Sequence, residues 1–321
     1  MLQFNKVFYL LTTCILISVS SCSTIKNAPS QRHGSCYLEN RLPYTLSSAP
    51  KPLIIENLDS NLIHSFSISS LNIANGIGVL DLLSEYVQHR NKYKSNPTFE
   101  SRLQAIELFQ RIDYRINLAS LEISSIASEM DCEEEKITQL ADFMKEKEGQ
   151  VENRLNVAAI AVGAAGAILS GVLNDGGEKI AGVTGGIVEA TLGTLMLVNQ
   201  KKVYFEHKRN ALGEVWNNVS KSEIFPPSIW YYLTSSDLND DDQESKVHQI
   251  IERWMEFEQF DEVKEKKRKK LIQLYFGEGG DYTTEQLFNR ANMLDQLESH
   301  IKLMKQELTL LTMEINQYRI N

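Results

Sequence analysis

Three features of the sequence predict an all-α fold, an elongated helical bundle or coiled coil with a central glycine-rich apolar helical hairpin. The first is composition: 7 prolines in 321 residues and 8% aromatics, against many Leu, Ile, Glu, Gln and Lys, which lose little rotamer freedom in a helix. The second is apolar residues at alternating three- and four-residue spacing over most of 97–155 and again after Leu297, the pattern of a coiled-coil seam. The third is the stretch 156–199, in which two apolar segments, 157–173 and 180–198, flank the polar tip Asn174-Asp175-Gly176-Gly177-Glu178-Lys179. Small residues recur there at every fourth position: Gly163, Ala167 and Gly171, then Gly182, Gly186, Ala190 and Thr194, with Gly193 in the same packing set. Such spacing gathers each set on one helix face, and small faces let two backbones approach closely.

The formal net charge of -9 excludes a nucleic-acid partner, because phosphates demand a basic surface. The histidines, His33, His64, His89, His207, His248 and His300, form no short-spacing pair, and scattered histidines with few cysteines assemble no metal site by spacing. No Gly-x-Ser-x-Gly, phosphate-loop or zincin motif occurs. No enzyme, cofactor or metal centre is expected.

Taken in order, residues 1–21 read as a signal peptide: Lys6 supplies positive charge, 7–19 is an apolar run, and Ser20 and Ser21 precede Cys22. Such a run spans only about 20 Å of helix, short of a bilayer core of about 30 Å. The order Val19-Ser20-Ser21-Cys22 resembles the lipobox of bacterial lipoproteins. That resemblance implies cleavage before Cys22, acylation of its thiol and tethering of the mature chain to membrane lipid, which more than one acyl chain makes stable. Ser23 stands where an aspartate retains enteric lipoproteins at the inner membrane, so the resemblance points to the outer membrane.

Residues 22–59 hold Pro29, Pro43, Pro50 and Pro52 and read as an extended strap. Within it lies Cys36, and beyond it Cys132 on the long helix. In an oxidising compartment the two thiols can pair and staple strap to body; two separate thiols are the alternative, and both stay open. The helical bundle is expected over 60–321. Helical spacing over 61–93 (Leu62, Phe66, Ile73, Ile77, Leu80, Leu83, Val87) predicts a helix with a kink or break at Gly76 and Gly78. Asn96-Pro97-Thr98 reads as the next start, with Asn96 as cap and Pro97 at the first helical position. The seam of that long helix is Ala105, Phe109, Ile112, Ile116, Ala119, Ile123, Ile126, Met130, Ile137, Leu140, Met144 and Val151, interrupted by Glu133 and Lys147.

Beyond the hairpin a returning helix is expected through Tyr204, Phe205, Leu212, Val215 and Val219, broken by Pro226 and Pro227. The cluster Phe225, Trp230, Tyr231 and Tyr232 reads as a cap over the core. One helix is expected over 244–276, ended by the glycines of 277–280. Thr283-Thr284-Glu285-Gln286 resembles a capping box and opens a last helix with seam Ile301, Met304, Leu308, Leu311, Ile315 and Tyr318. Asp237, Asn239 and Asp241 imitate a calcium loop, but Asp242 and His248 stand where the motif needs Gly and Glu. The basic run 264–270 reads as a charged helix face.

Two uses of the hairpin compete: the most buried part of a soluble bundle, or a membrane contact. Its 17- and 19-residue segments span roughly 26 and 29 Å, and Arg154, Lys201 and Lys202 would sit at one headgroup layer. Glu189 lies near the small-residue seam, so it need not face lipid. Long helices with an apolar hairpin midway resemble α-helical pore-forming toxins of the cytolysin A and haemolysin BL kind, and the glycine-rich centre of a lipoprotein resembles conjugative surface-exclusion lipoproteins. The expected function is that of a lipid-anchored envelope protein acting through this hairpin on a membrane, an envelope partner or a second copy. A membrane-permeabilising protein with soluble and inserted states is the alternative.

Overall fold

Helices carry most of the fold. The computed structural model describes residues 35–37, 50–172, 201–236, 244–257 and 264–319, with backbone alone at 154–156 and 158–172. A 3₁₀ turn at Ile55–Asn57 precedes α1 (Ser60–Ser65), α2 (Ile68–Gly76) and α3 (Leu80–Ser95). The long α4 (Phe99–Val172) follows, then strand β1 (Val203–Glu206), α5 (Ala211–Trp216), α6 (Pro227–Thr234), α7 (Lys246–Phe257), α8 (Glu265–Phe276), strand β2 (Gly279–Tyr282) and α9 (Thr284–Gln317).

The break expected near Gly76 and Gly78 is present: α2 ends at Gly76, and Gly78 turns the chain with φ 72°, a left-handed conformation that favours glycine. A second break, at Phe66–Ser67, was not expected; the Ser67 hydroxyl caps α2 by accepting from the Ser70 amide at 3.2 Å. The start of α4 corrects the reading of Asn96, which ends α3 instead. Thr98 and Ser101 cap each other reciprocally, the Ser101 amide donating to Thr98 Oγ1 at 3.2 Å and the Thr98 amide to Ser101 Oγ at 3.3 Å. At α9 the capping box is complete: the Gln286 amide donates to Thr283 Oγ1 and the Thr283 amide to Gln286 Oε1.

The helix expected through Tyr204 and Phe205 is strand β1, paired with β2. Val203-Tyr204-Phe205 is β-branched and aromatic, a composition that suits a pleated surface, and the pairing partner lies more than seventy residues on. The glycines expected only to end a helix begin β2. The helix expected over 244–276 is two, α7 and α8, with 258–263 outside the described residues.

Two compact units emerge. One is formed, among the described residues, by Lys136–Glu206 and Gly280–Phe288. Its core holds Ile137, Leu140, Ala141 and Met144 of α4 with Val203, Tyr282 and Leu287, and Phe205 meets Tyr282 edge-on at 6.2 Å. The other unit comprises Gly34–Glu135, His207–Gly279 and Asn289–Asn321. There α4 buries Ala105, Leu108, Ile112, Ile116, Ala119, Ile123, Ile126 and Met130, and α9 buries Leu294, Leu297, Ile301, Met304, Leu308, Leu311 and Ile315. Leu108 takes the buried place expected for Phe109, which is half-buried against Tyr86. The end of α9 is tied to α3, where Tyr86 Oη and Arg90 Nε both donate to the Tyr318 carbonyl at 2.9 Å. The aromatic cluster of α6 is buried: Trp230 donates to the Val219 carbonyl, and Tyr231 Oη to Asn72 Oδ1 at 2.6 Å.

Candidate functional site

Cys36 and Cys132 are joined by a disulfide, with Cα atoms 5.7 Å apart. The bond fastens the short N-terminal piece 35–37 to α4. Next to Cys36, the Tyr37 ring lies 4.9 Å from the Arg209 guanidinium. Arg209 Nε in turn donates to the buried Glu129 carboxylate at 2.9 Å, one turn of α4 before Cys132. A buried carboxylate needs such a cation to be retained.

A second polar centre lies at the entrance of α5. Asn210 Oδ1 caps the helix by accepting from the Gly213 amide at 3.2 Å and also accepts from Arg290 Nη2 at 3.1 Å. Its Nδ2 donates to the carbonyls of Tyr275 at 3.0 Å and Gly277 at 2.8 Å, and Arg290 Nη1 donates to Tyr275 at 2.6 Å. His207 Nδ1 donates to the Gly277 carbonyl at 3.0 Å. Burial and the Arg290 charge hold His207 down to about 3, against the smaller opposing effect of its bond to Gly277. The imidazole is therefore neutral in the fold. These bonds join Asn210, Arg290 and His207 to the carbonyls of Tyr275 and Gly277 and to the Gly213 amide, a structural knot that closes the turn after α8 onto α5. Its one legible signal was an asparagine preceding an apolar helix, an N-cap pattern.

At the root of the predicted hairpin, Glu148 of α4 makes two bonds through different oxygens. Oε1 accepts from the Lys201 amide at 3.2 Å and Oε2 from Thr284 Oγ1 at 2.9 Å. The chain that passes Glu148 along α4 thus reappears beside it at Lys201. Gly163, Ala167 and Gly171 lie on α4 with helical backbone, four residues apart. Gly182, Gly186, Glu189, Ala190, Gly193 and the lipidation candidate Cys22 lie outside the described residues, as do Asp237, Asn239 and Asp241. Among the residues whose side chains are described, no helix is long and apolar enough to cross a membrane.

On α7 and just before it, His248 Nε2 stands 3.4 Å from both Glu244 and Glu252, a grouping that the reading of histidine spacing alone did not include. The three ligand atoms lie within 4.8 Å of one another, Glu244 half-buried and the other two exposed, and at i, i+4 and i+8 they are ordinary neighbours along one helix face. The basic run of α8 is exposed apart from the half-buried Arg268, with Lys269 paired to Glu265. Compared with known proteins, the chain matches no family model, no curated protein and no solved structure.

Proposed function

We propose that this is a lipid-anchored bacterial envelope protein that acts by structure. Cys22 carries the acyl chains, Ser23 directs the protein to the outer membrane, and the apolar pair of segments within 156–199 forms a helical hairpin on an elongated bundle. That hairpin contacts the bilayer or an envelope partner through its small-residue face, Gly163, Ala167, Gly171, Gly182, Gly186, Ala190 and Gly193, with Glu189 beside the seam.

The observation that carries this reading is the meeting of Lys201 with Glu148. From Glu148 to Val172 the helix advances roughly 36 Å at 1.5 Å per residue. A return to Lys201 in the residues that remain fits a second helical arm of about the same reach. The disulfide supports export, because such bonds persist in oxidising compartments.

The test is alkaline carbonate extraction of a Cys22→Ser chain expressed with its signal. The intact protein should carry acyl mass on Cys22, and the variant should lose that mass while the hairpin still holds it in the washed membrane. Absence of acyl mass on the intact protein removes the anchor. Full release of the variant removes bilayer contact and leaves an envelope protein as the hairpin's partner.

A further inference from the structure

The first half of α4 presents a second apolar face, pointing away from its core. Phe99, Leu103, Ile106, Tyr114 and Leu121 are 84%, 54%, 38%, 65% and 67% exposed. With the exposed Gln110 and Asn117 they recur at spacings of 4, 3, 4, 4, 3 and 4 residues. At about 100° per residue these positions fall on one stripe of the helix, opposite Ala105, Leu108, Ile112, Ile116 and Ile123. An open groove of about 510 Å³ borders it, lined by Leu82, Glu107, Gln110, Arg111, Tyr114 and Arg115.

The stripe is symmetric about Gln110. Reversing the direction of a second α4 about that residue sets Phe99 against Leu121, Leu103 against Asn117, Ile106 against Tyr114 and Gln110 against itself. Charge follows the same symmetry. Glu107 and Arg111 lie on the same flank of the stripe, and in the reversed pair each Glu107 stands about 3 Å along the axis from the other copy's Arg111, within reach of an ion pair in both directions. A polar residue at the centre of an apolar seam fixes register.

We propose that this face is the surface on which two copies of the chain pair, antiparallel and two-fold about Gln110. The occupant is a second copy because a reversed α4 sets Phe99 on Leu121 and Ile106 on Tyr114 and brings each Glu107 to the other copy's Arg111; a lipid surface would leave Glu107 and Asp113 against headgroups or tails. The surface is separate from the hairpin, so it stands whether or not the hairpin contacts membrane.

The test is oxidative cross-linking of the full-length chain in envelope membranes, with the parent chain as background. Gln110→Cys should give a covalent dimer that the parent does not. Phe99→Cys alone should give none, because its two copies would stand about 33 Å apart, whereas Phe99→Cys mixed with Leu121→Cys should give one. Adding Ile106→Glu should abolish the Gln110→Cys cross-link with the helical circular dichroism unchanged. No dimer from Gln110→Cys, or self-linking of Phe99→Cys, overturns the proposal. A monomer whose stripe is protected by its own N-terminal residues gives the first of these results.

Discussion

His207 is neutral because its ring is buried beside the Arg290 charge, and that has a consequence for pH. A base whose folded pKa lies near 3, below its ordinary 6.5, takes up its proton more readily in the unfolded chain. Its stabilising contribution is complete above about pH 6.5 and is lost as pH falls toward 3. At pH 5 the loss amounts to about 2 kcal/mol. His300, held down by burial and by Arg253 and Lys246, acts with the same sign. Guanidinium unfolding at pH 7.5 and pH 5 should show the drop, and His207→Gln should shrink it; equal midpoints at the two pH values would sink this account. Two glycines make an opposed pair. A Cβ on Gly213 would stand 2.5 Å from the Phe276 carbonyl oxygen, whereas one on Gly149 would meet nothing within 4 Å. Gly213→Ala should therefore lower the thermal midpoint, at a cost of about 1–3 kcal/mol. Gly149→Ala, in a helix interior, should raise it through a gain of about 0.5–1 kcal/mol. Shifts of the same sign would contradict the packing described.

At the scale of elements, local chemistry and long-range partners divide the work. The capping box of α9 was readable because Thr283 and Gln286 are three residues apart and satisfy each other's amides. The seams of α4 and α9 were readable because burial repeats with the helical period, from Ala105 to Met144 and from Leu297 to Ile315. Strand β1 was misread because nothing within Tyr204-Phe205 names its partner; the strand exists by pairing with β2. Asn96 was misread because a polar residue before Pro97 suits a helix end as well as a start. The disulfide closes a sequence separation of 96 residues, and a loop of that length restricts the unfolded chain strongly. Replacing Cys36 and Cys132 with serine should lower unfolding free energy by about 2–5 kcal/mol, read from denaturant midpoints with and without reductant. If reductant leaves the unreplaced protein's midpoint where it was, the bond contributes nothing to the fold.

For the whole molecule, the two units draw on segments far apart in the chain, and α4 and α9 contribute to both. An envelope protein that acts by contact should leave dye-loaded vesicles of outer-membrane lipid composition sealed at pH 7 and pH 5. Release above the level of heat-denatured protein would favour the permeabilising reading instead. By itself the sequence determined the helical class, the long seams and the capping box of α9, since these depend on periodicity and on neighbours within a few residues. It also determined that the apolar stretch 156–199 is unlike the rest of the chain. Only the tertiary structure decided that Cys36 meets Cys132, that Asn210 gathers Arg290 and two carbonyls around it, that β1 is a strand, and that Lys201 returns to Glu148. Each of these joins groups separated by fifty residues or more, and such contacts arise from how helices pack rather than from any pattern a local stretch can carry.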